Sequence, residues 1–593
     1  MRCFRINYKL IKNSPNDVYN PVQTVFKNRG IDDVDEYMHL SEKCLYSPAL
    51  LDNITEAAQC FLDHLDAGDE ITILVDCDPD GYTSAALTWL YIQDYISADC
   101  ACASASNCKV NRLLHSGKQH GITKDIEVPL STDLLIIPDA GTNDVDECRA
   151  LKEKIKGLDI IILDHHVKEV ENPYAIIVNN QACAYPNKNL SGVGIVYKFL
   201  QVADGIAWTF FAEKNIDLVA IGNIADSMDI RENETRYLCF RGLAMIENPL
   251  IKAIVKQNDY SISNSIPTVM DASFYIIPLL NAIIRMGTME QKDMLFRALV
   301  GSQETFPYKK RGTTDYVDEA ICDKVVREGG SLKYRQKKAV DASLDAIQEY
   351  VGKFNMQSNK VMFCNVSGML EHTLTGLVAN KIAGIYKRPC LILHCSDNDP
   401  ELFTGSARNI DDGPVDDLQQ FLLSTGEFIA APGHDNACGI SIKKENIEPA
   451  IQKCNKLLAD VDSQICTRVD LDIEYADLDV ELIRQIHALG NQLGKGFAEP
   501  VLCIHDIPLK MGETIIMGKT SNSWKFTDSE TGIAFVHFSC PKDDQVLSCL
   551  NDDVWSSAKS EIMVNCLCTV SMNLYKGAVT PQVKISEYEC EVS

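Results

Sequence analysis

The sequence predicts a multi-domain α/β protein: a parallel-sheet domain, a second α/β domain and a small C-terminal β-barrel. Three observations carry this. A chain of 593 residues exceeds what one hydrophobic core can organise, so three or four domains are expected. From residue 71, continuous apolar, β-branched runs alternate with helical segments, the pattern of a parallel sheet covered on both faces. Beyond about residue 470 the helical signal gives way to short strands separated by turn residues.

Residues 1–70 mix polar and apolar positions and read as helical, without a long strand. The run Ile71-Thr72-Ile73-Leu74-Val75 opens the sheet, followed by a glycine turn and a helical stretch over 83–95. Leu134-Leu135-Ile136-Ile137-Pro138 is a second run, and Ile160-Ile161-Ile162-Leu163 a third, with a helical segment over 145–156 before it. The polar stretch 303–338 gathers Lys309, Lys310, Arg311, Lys333, Arg335, Lys337 and Lys338. Strand and helix patterns then return over 361–366, 376–386 and 389–394, and short strands over 514–517 and 533–536 close the pattern. The expected organisation is an N-terminal helical region (1–70), a parallel-sheet domain (71–302), a basic helical linker (303–339), a second α/β domain (340–460) and a C-terminal β-barrel (461–593). No internal repeat or low-complexity tract is visible.

Apolar residues make up 46% and charged residues 23% of the chain, as in an ordinary globular protein. The net charge of −27 argues against a non-specific nucleic-acid coat, but not against a nuclease whose acidic residues gather round metals. No apolar run reaches the roughly eighteen residues a membrane span needs; the most apolar stretch, 274–284, is short and contains Pro278 and Asn281. Residues 1–13 lack an apolar signal core, so a cytoplasmic protein is expected. The 23 cysteines form no CxxC pair and no Cys/His zinc spacing, and read as buried, reduced thiols.

Four apolar segments end in acidic or imidazole groups: Asp76-Cys77-Asp78-Pro79-Asp80-Gly81, Asp139-Ala140-Gly141, Asp164-His165-His166, and the stretch from Asp217 to Asp226. Ligands of open parallel sheets bind outside the carboxyl ends of the strands, so one geometry would bring all four together. Carboxylates packed that closely repel one another, and divalent cations relieve the repulsion. Oxygen-rich ligation with one or two imidazoles suits manganese or magnesium better than structural zinc. Two such ions about 4 Å apart can clamp a phosphoryl group. Any one motif alone would pass for a calcium loop or an acidic surface turn; the argument rests on the four together.

At these residues the sequence resembles the DHH superfamily of phosphoesterases, with Asp76 to Gly81, Asp139 to Gly141, Asp164 to His166 and Asp226 as its four motifs. Further segments resemble the RecJ branch: Asn20-Pro21 to Arg29-Gly30, Tyr185 to Gly194, Pro278 to Ala282 with Arg285, Gly405 to Arg408, and Gly433-His434 with Ala437 and Gly439. Residues 490–500 and the strands to about residue 540 resemble the lead-in to RecJ's oligonucleotide-binding barrel. Departures fall at Leu279, Pro432 and Cys438, and Pro79 sits inside the first motif. The resemblance implies a parallel-sheet DHH catalytic domain, a second α/β DHH-associated domain and a C-terminal OB-like β-barrel. It implies a single-stranded-DNA-specific 5′-to-3′ exonuclease, a metal-dependent phosphodiesterase using two Mn2+ or Mg2+ ions, with roles in DNA repair and recombination. Single-stranded DNA is the expected partner, a single-strand binding protein or helicase a candidate one; no membrane is expected, and the chain is expected to be a monomer.

On this basis Asp78, Asp80, Asp139, His165 and Asp226 are expected to ligate the metals, with Asp139 bridging. Asp76 and Asp164 are ligands or carboxylates that orient an imidazole, and His166 faces the phosphate. Ser191 and Gly192 either position nucleic acid or form a tight strand-to-helix turn. Arg285, by resemblance, and Arg408, Gly433 and His434 are expected at substrate phosphates, since a guanidinium offers bidentate donors; a surface ion pair or a turn histidine is the plain alternative for Arg408 and His434. Trp524, with Lys519, Lys525 and Phe526, either stacks on bases or fills the barrel core. Two other functions compete: a short-oligonucleotide or cyclic-dinucleotide phosphodiesterase of the same superfamily, and a non-catalytic DHH-fold DNA-binding replication protein. Length dependence of cleavage separates the first, metal content and turnover the second.

Overall fold

The computed structural model describes the chain except residues 1–5, 7, 12–16, 99–101, 118, 125, 263–265, 311, 397–398, 411–412, 414, 462–466, 542, 552–560, 576 and 592–593. Arg311 and much of the 1–13 stretch read above therefore lie outside the described residues.

The first domain holds a five-stranded parallel sheet of β1 (Glu70–Val75), β2 (Lys109–Leu114), β3 (Leu134–Pro138), β4 (Asp159–Asp164) and β5 (Ile176–Asn179), in the order β2-β1-β3-β4-β5. The three central strands are the apolar runs of the sequence. The two flanking strands were not expected, because β2 (Lys-Val-Asn-Arg-Leu-Leu) is polar and β5 short, as sheet edges tend to be. The strand order reverses between β1 and β3, and crevices of open α/β sheets form at that switch point. Helices α1 (Ile54–Ala67), α2 (Pro79–Ile96), α3 (Val145–Lys154), α4 (Gly192–Ala207) and α5 (Ile216–Ala225) surround it, and α1, α2, α4 and α5 share one core with the sheet through Phe61, Leu87, Phe199 and Ile221. The stretch Val269–Met286 is long and apolar enough to cross a bilayer by composition, contrary to the sequence reading; half of it is buried against this core.

The expected helical linker is different. It begins as a hairpin, Thr305–Lys309 with Tyr316–Ala320, and continues into the 33-residue α6 (Ile321–Lys353). Position 340 thus falls mid-helix. One apolar stripe serves two cores: Ile321, Val325 and Leu332 pack in the first domain, Val340, Ile347 and Val351 in the second.

The second domain is a mixed sheet in the order Phe428–Ala430, Ala437–Lys443, Leu402–Arg408, Cys390–Cys395, Met362–Asn365, with the short strand Gly433–His434 paired to Ala437–Cys438. The C-terminal domain is a seven-stranded sheet ordered Leu471–Glu474, Leu502–Lys510, Glu561–Tyr575, Ala578–Glu591, Ala534–His537, Ser523–Thr527, Thr514–Met517, curved around its own core. Among the described residues its pairing path is open at both ends, so the barrel is not closed by strand pairing. Trp524 lies at its centre, 0% exposed, its ring edge-on to His537 and Tyr588 at 5.8 Å each. The stacking role is therefore corrected. No base reaches that ring, and Phe526 beside it is equally buried while Lys519 is exposed. The 20 described cysteines are all free thiols.

Candidate active site

The acid-rich motifs leave the sheet together. Asp76 follows β1, and Asp78 caps α2, its Oδ1 accepting from Gly81 N at 3.0 Å. Asp139 follows β3 with a left-handed φ of 68°, a strained conformation for a non-glycine residue. His165 and His166 follow β4, and Asp226 caps the C-terminus of α5. Donor atoms of Asp139, His165 and His166 lie within 4.8 Å of one another, and His165 Nε2 lies 3.2 Å from Asp139 Oδ1 and 3.4 Å from Asp226 Oδ2.

Each carboxylate has a distinct set of neighbours. Asp80 is held by the N-terminus of α4: Ser191 Oγ donates to its Oδ1 at 2.9 Å, Val193 N to the same oxygen at 3.2 Å, and Gly192 N to Oδ2 at 2.6 Å. That placement suits an anion at a helix N-terminus, and leaves Oδ2 a lone pair for a cation. Ser191 and Gly192 thus grip a site carboxylate, not nucleic acid, a correction to the first of their two readings; both are buried. No larger residue fits at 192, where a Cβ would meet Asp139 Cβ and Oδ1 at 2.5 Å. The segment before it forms a buried brace: Tyr185 Oη and Asn187 Nδ2 donate to Glu234, which also pairs with Lys198 at 2.7 Å.

Asp164 is held by four hydrogen bonds. Its Oδ1 accepts from His165 N, His166 N and His166 Nδ1, and its Oδ2 from Thr142 N at 3.0 Å. It orients the His166 ring and leaves Nε2 facing the cluster. Asp76 likewise accepts from His120 Nδ1 at 2.6 Å and Gly121 N at 3.1 Å. The sequence reading missed His120 because it follows β2, the polar edge strand that the apolar pattern does not mark.

The electrostatics follow from burial. Desolvation, then the charges of Asp226 and Asp78, push the Asp80 carboxyl up to about 8. Desolvation and the neighbouring carboxylates likewise hold Asp139 well above the usual range. Burial pulls His165 down to about 4, so it is a neutral imidazole, the form that ligates metals. Burial opposes charge on His166 too, but Asp164 outweighs it and lifts the ring to about 9. Asp226 Oδ2 is buried without a hydrogen-bond partner among the described residues. Crowded, partly neutralised carboxylates, a neutral imidazole and an orphaned carboxylate oxygen form an oxygen-rich donor set that fits manganese or magnesium.

The second domain completes the wall. His434 Nε2 lies 3.4 Å from Asp226 Oδ1, and its ring stacks on His166 at 5.7 Å between centroids. Gly433, at φ 125°, lets that strand turn in against Cys438. Arg408 Nη1 donates to the carbonyl of Ala407 at 2.7 Å, so it is not a surface ion pair. Burial lowers Arg408, and the charge of Arg285 across the domain junction lowers it further. Arg285 in turn feels Asp78, and among the described residues has no ion-pair or hydrogen-bond partner.

Comparison with known proteins agrees with this geometry. Residues 70–223 match the DHH family, N-terminal domain, and residues 469–587 the RecJ OB domain. The chain is 35% identical over 591 residues, 98% of each protein, to the SPbeta prophage-derived YorK of Bacillus subtilis (strain 168), named as a candidate single-strand DNA-specific exonuclease. The chain belongs to the DHH family, in its RecJ-like branch. Within that branch it is 25% identical over 490 residues to the single-stranded-DNA-specific exonuclease RecJ of Bacillus subtilis (strain 168), covering 79% of this chain and 56% of that protein. The fold matches RecJ from Thermus thermophilus, solved in complex with Mn2+, with a TM-score of 0.68 at 19% identity over 96% of this chain and 76% of that one. The RecJ-like α/β fold with DHH and OB domains is thus shared along nearly the whole chain.

Proposed function

We propose that this protein is a metal-dependent exonuclease that hydrolyses single-stranded DNA from its 5′ end. The observation that carries the reading is the convergence of Asp78, Asp80, Asp139, His165 and Asp226 from one domain with His434 and Arg408 from the other. The first five would hold two divalent ions, manganese or magnesium. Bound there, such ions polarise the scissile phosphate and lower the pKa of a water molecule.

The chain's own residues do the rest. The α4 N-terminus and Asp164 fix Asp80 and His166 before substrate arrives, so no reorganisation is needed during the reaction. Arg285 and Arg408 form a paired cation that orients a phosphate by bidentate contacts. His166, held charged by Asp164, donates from Nε2 toward the same region. A strand threaded between the two domains meets Arg408 and His434 on one wall and the metal ligands with Arg285 and His166 on the other, and positioning of this kind supplies much of the barrier reduction in phosphoryl transfer. The relatives named as single-strand-specific exonucleases support the substrate class.

A time course with manganese on a 3′-labelled oligonucleotide tests the direction. Progressive shortening of the labelled strand is expected, with blunt duplex resistant and chelator abolishing turnover. Immediate release of labelled mononucleotide means digestion from the 3′ end and overturns the polarity.

A further inference from the structure

Outside the nuclease site, three donors of different chemistry meet inside the C-terminal domain. His537 ends the strand Ala534–His537, Cys540 follows in the turn, and Asp544 caps the short helix Gln545–Leu550. All three are buried, with 8%, 7% and 4% of their surface exposed. His537 Nδ1 lies 3.3 Å from Cys540 Sγ and 3.4 Å from Asp544 Oδ2, and all three donor atoms lie within 4.8 Å of one another.

These separations do not describe a closed ion pair. A charge-assisted N–H···O contact shortens to roughly 2.7–2.9 Å. Asp544 Oδ2 stays beyond that range and is buried without a hydrogen-bond partner among the described residues, while Oδ1 caps the helix by accepting from Leu547 N at 2.8 Å. A buried carboxylate oxygen left in that state is destabilising unless a cation meets it. A tetrahedral zinc ion, with bonds of about 2.3 Å to sulfur and about 2.0–2.1 Å to nitrogen and oxygen, sets its ligand atoms about 3.3–3.6 Å apart, and both measured separations fall there. The mixed thiolate, imidazole and carboxylate set favours zinc over the hard ions of the nuclease site. By contrast, Asp472, Cys503 and His505 in the same domain contain a closed His505 Nε2 to Asp472 Oδ1 hydrogen bond of 2.5 Å.

We propose that His537, Cys540 and Asp544 bind one structural zinc ion that staples the strand to the helix beneath the buried Trp524. The Tyr588 hydroxyl or a water molecule completes the tetrahedron; the Tyr588 ring packs edge-on to His537 at 5.4 Å. His537 and Cys540 stand three residues apart in the chain, and the third donor, a carboxylate, falls outside any paired Cys and His spacing.

The test is metal analysis of tag-free, full-length protein produced with zinc supplied. The expected result is one zinc per chain, retained in His165→Ala and lost in Cys540→Ser and in Asp544→Asn. X-ray absorption at the zinc edge of the unaltered protein, which needs no variant to fold, shows one sulfur neighbour with nitrogen and oxygen. Zinc below stoichiometry in the unaltered chain, zinc fully retained by Cys540→Ser, or a zinc without a sulfur neighbour overturns the site.

Discussion

His434 Nε2 stands 3.4 Å from Asp226 Oδ1, so a residue of the second domain closes the ligand cluster of the first. Asp226 is held below the usual carboxylate range by His165 and His434, which outweigh its burial. His434→Ala should therefore lower kcat on single-stranded DNA on the order of a hundredfold, while bound manganese, measured by calorimetry, stays within a factor of a few. A loss of manganese equal to the loss of rate would make His434 a ligand instead.

The charge of Arg285 bears on Arg408, and among the described residues neither forms an ion pair with a carboxylate, so activity and stability should move in opposite directions when one is neutralised. Arg408→Met is expected to reduce kcat/KM by roughly ten- to a thousandfold, the weight of a charge-assisted phosphate contact. Thermal melts without DNA should show an unchanged or higher Tm, since the like-charge repulsion is gone. A drop in Tm with unchanged kinetics contradicts the clamp.

Without metal, the protein should lose stability as pH rises. Asp80 titrates near 8 in the folded chain against an ordinary value of 3.8, and Asp139 is raised as well. Below 3.8 these carboxyls are protonated in both states; above it the unfolded chain ionises while the folded one keeps its protons. The stabilising contribution is therefore lost progressively from about pH 4 to about pH 8. Asp164, held low, works oppositely, but only as acid protonates it. Melts in chelator should show Tm falling between about pH 5 and 8, and Asp139→Asn should flatten the slope and stabilise the pH 8 protein by on the order of 2 kcal/mol. A slope identical in both proteins sinks the assignment.

Gly192→Ala should disable the site without touching a ligand. The added Cβ would sit 2.5 Å from Asp139 Oδ1 and displace the amides that hold Asp80. A cost of about 1–3 kcal/mol in urea unfolding, with turnover reduced far more than stability, is expected. Full activity would mean the α4 N-terminus shifts freely.

Trp524→Ala should cost about 3–5 kcal/mol, as for a large aromatic removed from a core. Urea denaturation measures this. Binding of long and short strands should weaken equally, in the folded fraction; selective loss on long strands would restore the stacking role.

Much of this protein was legible in the chain itself. The β-branched apolar runs marked three central strands, because a strand buried on both faces needs continuous apolar residues. The acidic groups at their ends marked the site, because carboxylates at that density have few uses besides holding cations. Tertiary structure decided what each carboxylate does. Asp164 and Asp76 are taken up by His166 and His120, the α4 N-terminus grips Asp80 yet leaves its Oδ2 a lone pair, and the packing of those elements leaves Asp226 Oδ2 without a hydrogen-bond partner among the described residues. It also turned Trp524 inward, since a lone aromatic on a strand reads alike on either face. The His434–Asp226 contact lay beyond any local pattern: it exists because α6 is shared by two cores, and that sets where the second domain stands.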